Sequence, residues 1–167
     1  SINIPESVEY LDPLAFVGCS KIKSFIGKFS TSDGYAIVQE VNDIPTLCSF
    51  ATGAEIESYV ISKDVKQIAN YAFSGSNVNT VNIHEDIEFI PVGAFSASKI
   101  KNVVLNDGLK QIGMHAFSST MLKEINIPNS AKQLYDYCFA DNYYLESIRF
   151  GNELIEIPTG AFRNCIS

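Results

Sequence analysis

Two histidines and four cysteines are the side chains of this sequence best suited to metal ligation or nucleophilic chemistry. Neither set has the spacing such chemistry needs. His84 falls in a polar turn and His115 directly before an Ala-Phe pair, so no local arrangement joins them to each other or to a nucleophile. Cys-x-x-Cys, His-Glu-x-x-His, Gly-x-Ser-x-Gly and glycine-rich phosphate loops are all missing. The expectation is a non-enzymatic chain with no catalytic residue, no cofactor and no metal site. What remains is recognition chemistry. Tyr135, Tyr137, Tyr143 and Tyr144 cluster with Asp141 and Asn142, and tyrosine combines contact area with a polar tip. Tyr143 and Tyr144 are a candidate patch for a protein or glycan; the alternative is that the cluster packs beside Phe139 along a coil edge.

The elements that position these residues repeat. Ala15-Phe16, Ala72-Phe73, Ala94-Phe95, Ala116-Phe117 and Ala161-Phe162, with Cys138-Phe139 as a variant, mark six units, and the last five phenylalanines stand 22, 22, 22 and 23 residues apart. A fixed period of this length signals a solenoid. Thirteen residues before each Ala or Cys138 the chain reads apolar, any, apolar, as in Ile2-Asn3-Ile4, Val81-Asn82-Ile83 and Ile148-Arg149-Phe150. Such alternation predicts a short strand whose first and third side chains point inward. A polar turn follows, for example Asn106-Asp107-Gly108 or Pro128-Asn129-Ser130. Two further inward aliphatics come next, such as Val65 and Ile68 or Leu154 and Ile157, and another precedes each following strand. One unit alone cannot bury enough apolar surface to offset the entropy of ordering it, so the coils must stack.

Alternation also fixes an outward row. Asn3, Val60, Asn82, Val104, Asn126 and Arg149 lie at the strand centres, flanked by Ser58, Thr80, Asn102, Glu124 and Ser147. Thr80, Asn82, Asn102, Glu124, Asn126 and Arg149 form the candidate binding face for a protein or glycan; the other reading is a solvated sheet face with no ligand.

The predicted organisation is one domain over 1–167. It comprises a first repeat at 1–24, an insert at 25–58 and five consecutive repeats at 59–167. In the insert, Tyr35-Ala36-Ile37-Val38 and Thr46-Leu47-Cys48-Ser49-Phe50 read as strands around Asn42-Asp43-Ile44-Pro45, which predicts a β-hairpin projecting from the stack or continuing it. Cys19 and Cys165 share one repeat slot at opposite ends. At a strand spacing of about 4.8 Å they stand too far apart for the roughly 7 Å reach of a disulfide. Cys138 replaces a core alanine and Cys48 lies in the insert, so buried structural thiols are expected.

The run Ile4-Pro5-Glu6-Ser7-Val8 through Ala15-Phe16-Val17-Gly18-Cys19, partly repeated in Ile127-Pro128-Asn129-Ser130 and Phe162-Arg163-Asn164-Cys165, resembles the BspA-like leucine-rich repeat family. The resemblance implies a right-handed leucine-rich-repeat solenoid. Short parallel strands would line one face, with turns and short 3-10 or helical segments elsewhere. It further implies an extracellular or cell-surface setting, adhesion-type binding through the strand face, and an Asp-Gly-containing hairpin between repeats. A structural spacer that displays other domains is the alternative from a different class. Glycine three residues before Ala-Phe, usual in the family, survives here only as Gly113.

Composition agrees with a folded, soluble chain: 46% of residues are hydrophobic, and the net charge is −7. That charge argues against nucleic acid, whose phosphates need clustered cations. No apolar run is long enough for a membrane span, and Ser1 falls inside a repeat, which suggests a trimmed or processed chain.

Overall fold

A computed structural model describes residues 1–165. Ile166 and Ser167, the last positions of the expected repeat array, lie outside the described residues. The strands are β1 (Ile2–Ile4), β2 (Phe25–Gly27), β3 (Ala36–Val41), β4 (Ile44–Phe50), β5 (Ser58–Val60), β6 (Gln67–Ile68) and β7 (Thr80–Asn82). They continue as β8 (Phe89–Ile90), β9 (Asn102–Val104), β10 (Gln111–Ile112), β11 (Glu124–Asn126), β12 (Gln133–Leu134) and β13 (Ser147–Arg149). The chain is a β-solenoid of about seven stacked turns. In the five repeats from β5 onward the strand begins one residue before the apolar triplet read from the sequence, so its central side chain, such as Tyr59, Val81 or Ile125, points into the core; β1 coincides with its triplet.

Three ladders hold coil to coil. On the strand face, β1 pairs with β2, β7 lies between β5 and β9, and β11 pairs with β13, all parallel. A second face joins β4 to β6 and, separately, β8 to β10 to β12. The third face has no strands. There the N–H of Phe73 donates to Ala94 O, Phe95 to Ala116 O, Phe117 to Cys138 O and Phe139 to Ala161 O, each at 2.8 to 2.9 Å. Flanking N–H groups, such as Tyr71 to Val92 O and Gly75 to Ser96 O, do the same.

The short 3-10 or helical segments expected on this side are not found among the described residues; consecutive turns take their place. Each coil from Tyr71 onward holds two residues in left-handed geometry here, including Tyr71, His115 and Tyr137 at φ 60°, 54° and 58°, and Ala97, Ser119 and Asp141 at 54°, 56° and 59°. A right-handed helix cannot propagate through a left-handed residue, and the backbone hydrogen bonds it would have made run instead to the next coil. Gly93 fills one of these positions because a Cβ there would meet the Tyr71 ring at 2.2 Å. Turn chemistry adds cross-coil ties on another edge: Asn106 donates through Nδ2 to His84 O and Ile87 O at 2.8 and 3.1 Å.

The landmark phenylalanines are the spine of the core. Phe50, Phe73, Phe95, Phe117, Phe139 and Phe162 stack in series with centroids 4.7 to 5.5 Å apart. The first five are buried. Phe50 belongs to the hairpin, and it stands 23 residues before Phe73, one repeat period away. Its N–H donates to Ala72 O at 2.8 Å, so β4 occupies the place of a coil. The hairpin does not project. Its strands carry alternate side chains into two cores: Ala36, Leu47 and Phe50 into the main one, and Ile37 and Cys48 into a smaller one with Ile4, Phe25, Ala51 and Ala54. The turn between β3 and β4 places Asn42 and Asp43 at φ 52° and 62°, the geometry that matches strand twist in two-residue hairpins. Gln39 fastens the hairpin to the first coil, accepting from Leu11 N–H at 3.2 Å and donating to Leu11 O.

The last coil departs from the inward pattern. Leu154 is half-buried, Ile157 is 58% exposed, and Phe150 is also exposed, set edge-on against Phe162. The coil has a neighbour on one side only among the described residues, and no strand continues the second face there.

Candidate functional site

The outward side chains of the strand face stand in register. Ser58, Thr80 and Asn102 are Cα partners across β5, β7 and β9, as are Val60, Asn82 and Val104. Glu124 pairs with Ser147, and Asn126 with Arg149, across β11 and β13. Val60 and Val104 are about two-thirds exposed, at 65% and 63%, because alternation forces an outward position on them whatever their polarity.

Between β9 and β11 the parallel ladder is interrupted. The turn ladder still joins the same two coils, so the strand face parts locally while the stack stays closed behind it. The parting is a recess of about 350 Å³ lined by Asn102, Val103, Val104, Glu124, Ile125, Asn126, Ser147 and Arg149. A second recess of about 370 Å³ adjoins it, sharing Asn102, Glu124 and Ser147 and adding Lys101, Lys123 and Glu146. Four of the six residues expected to form a binding face therefore come together: Asn102, Glu124, Asn126 and Arg149. Thr80 and Asn82 lie on β7, on the far side of β9, and line neither recess. Lys101 and Lys123 were not anticipated, although the repeat places them 22 residues apart in one slot, just before β9 and β11.

The tyrosines divide. Tyr137 stacks on His115 at 5.2 Å and 7° and covers Gly160, where a Cβ would strike the ring. Tyr135 is half-buried. Tyr143 and Tyr144 are 53% and 54% exposed on the turn that leads into β13, and neither lines a recess of the strand face. Asn142, beside them in sequence, is fully buried and structural. Its Oδ1 accepts from Thr120 N and Oγ1 at 2.7 and 2.6 Å, and its Nδ2 donates to Phe117 O and Phe139 O at 2.8 Å each.

His84 sits in the turn after β7, its Nδ1 accepting from Asp86 N–H at 3.3 Å, while His115 is held in the turn face. Among the described residues no group of three or more His, Cys, Asp and Glu side chains could hold a metal ion. All four cysteines are free. Cys48 and Cys138 are buried, but Cys19 is exposed rather than a core thiol, because the first coil is covered less completely than those in mid-stack. Burial pushes the Cys138 thiol up to about 12, so almost no thiolate, the reactive form, exists there at neutral pH. In native protein at pH 8, Cys19 should react with a thiol reagent well before Cys48 and Cys138. After unfolding without reductant, all four should titrate. Recovery of only two or none would contradict free thiols.

A solved leucine rich cell surface protein from Faecalibacterium prausnitzii superposes with a TM-score of 0.91 at 23% identity, over 99% of this chain and 45% of its own. A leucine-rich repeat protein from Bacteroides ovatus gives 0.65 at 25% identity over 77% and 36%, and the pneumococcal vaccine antigen PcpA gives 0.69 at 19% over 99% and 43%. The chain thus spans less than half the length of each of these three solved proteins. No curated protein sequence matches it. Residues 1–35 and 46–167 match the model of the BspA type leucine rich repeat region in six copies, leaving out 36–45, which hold the first hairpin strand and its turn, and with the period, the strands and the stacked phenylalanines already described, the chain belongs to that family.

Proposed function

We propose that this chain is a non-enzymatic interaction module of a surface-exposed protein, binding a protein or glycan through the strand face. The observation that carries the reading is the recess between β9 and β11, where Asn102, Glu124, Asn126 and Arg149 gather beside the exposed side chain of Val104. Mixed polar and apolar linings of this kind suit specific ligands, and contacts in such sites are dominated by a few residues. Arg149 is the natural anchor, since its planar fork makes several directed hydrogen bonds. A surface setting draws support from the cell surface protein that shares the fold. Thr80 and Asn82 extend the face for a larger partner, and Tyr143 and Tyr144 are a secondary contact. A spacer role is favoured by one feature, the unbroken phenylalanine stack and turn ladder, and the same experiment separates the two.

Retention on immobilised extracellular-matrix protein and on mucin-type glycans should weaken at least tenfold, about 1.4 kcal/mol, when Arg149→Ala is combined with Asn126→Ala. The melting curve should stay nearly unchanged. Glu85→Ala, in an exposed turn off the strand face, should leave binding as it is. Loss of binding through Tyr144→Ala with the strand-face pair silent would overturn the reading. Absence of retention on every surface would favour the spacer.

A further inference from the structure

We infer that the recess between β9 and β11 takes an acidic sugar, a pyranose ring bearing a carboxylate; the inference rests on the strand-face reading and specifies its ligand. Its first support is charge. Lys23, Lys63, Lys66, Lys110 and Lys132 are each ion-paired. Of the seven other cations, none ion-paired among the described residues, Lys101, Lys123 and Arg149 line the joined recesses, while Lys21, Lys28, Lys99 and Arg163 lie elsewhere. Two carboxylates, Glu124 and Glu146, share the lining, which leaves a local excess of one positive charge on a chain of net charge −7. Lys101 and Lys123 also occupy one slot on adjacent coils, where like charges side by side repel. In the preceding pair of coils the same slot is internally satisfied, Asn79 Nδ2 donating to Glu57 Oε2 at 2.8 Å. An anion set between the two lysines would remove the repulsion.

The second support is the remainder of the lining. Asn102, Asn126 and Ser147 offer amide and hydroxyl groups, and Glu124 is an acceptor for ring hydroxyls. Val104, 63% exposed, gives an apolar contact for the C–H face of a ring, with half-buried Val103 beside it. An acidic peptide would use the cations but would leave the hydroxyl-matching acceptor Glu124 opposed to its own charge. A neutral sugar would use the amides and leave the cations unmatched. A ring carrying both hydroxyls and a carboxylate uses the whole set.

The test titrates the intact chain with trigalacturonate and sialyllactose, as two sources of the same chemistry, with lactose and a hexaglutamate peptide as comparisons. Calorimetry reads affinity, and amide NMR shifts locate the site. Either acidic sugar should bind at least tenfold more tightly than lactose and shift Asn102, Glu124, Asn126 and Ser147. Affinity should fall with rising salt and fall at least tenfold in Arg149→Ala combined with Lys123→Ala. Arg149→Lys with an unchanged melting curve guards against misfolding and should keep part of the affinity. Equal binding of lactose, preference for the peptide, or no binding of either acidic sugar would overturn the inference. If the strand-face pair still abolishes retention on matrix or mucin while the acidic sugars neither bind nor compete, this inference fails alone and the wider reading stands.

Discussion

Phe117→Ala should lower unfolding free energy by about 3 to 5 kcal/mol, as expected for a large aromatic removed from a core that cannot collapse. Phe117 is fully buried and lies between two rings, Phe95 at 5.0 Å and 4°, and Phe139 at 5.4 Å and 3°. Backbone hydrogen bonds fix the rise from coil to coil on either side, so the neighbours cannot close over the gap. The comparison is Phe16→Ala in the first coil, where the ring is only partly buried and meets one aromatic partner, Phe25, at 5.2 Å. That change should cost about 1 kcal/mol. Denaturant melts of the two variants give the contrast, and a loss below about 1 kcal/mol for Phe117→Ala would remove the stack from the core.

Asn142→Ala should be nearly as damaging, at about 3 kcal/mol or more, although it deletes a polar side chain. The carboxamide satisfies four groups in two adjacent coils at once. Truncation leaves Thr120 N–H and Phe117 O without a partner in a place solvent does not reach, and Phe139 O with only the weak thiol donor of Cys165; each buried polar group left unpaired costs about 1 to 3 kcal/mol. Asn142→Cys should recover part of the loss. In the equivalent slot of the last coil, Cys165 donates from Sγ to Phe139 O at 3.3 Å, so a thiol can serve at least one carbonyl. Equal melting of the alanine variant and the unmodified chain would show that the network carries no net stability.

Much of the architecture was legible because it depends on spacing. Phenylalanines 22 or 23 residues apart had to align once the coils stacked, and the outward row followed from strand alternation. The hairpin was harder to read. Phe50 lies one period before Phe73, yet Ser49 precedes it where the other units have Ala or Cys, so the landmark is masked and the sequence leaves open whether the hairpin projects from the stack or continues it. The left-handed turns were hidden for a different reason: Tyr71, Ala97, His115, Ser119, Tyr137 and Asp141 give no local signal for a conformation that glycine usually marks. The recess was out of reach altogether. Which strands part is decided by packing across several coils, so Asn102, Glu124, Asn126 and Arg149 could be placed on one face but not gathered at one opening.

Of the three ladders, only the turn ladder runs unbroken from Phe50 to Arg163 among the described residues. The strand face is open between β9 and β11, and the second face between β6 and β8. The solenoid therefore resembles a spine slit from two sides at two different heights. Fewer backbone hydrogen bonds join the coils at those two places, so bending should be easiest there, with the turn ladder intact behind both. A ligand seated across β9 and β11 would supply coil-to-coil ties where the strand ladder is missing and so brace the stack at that height.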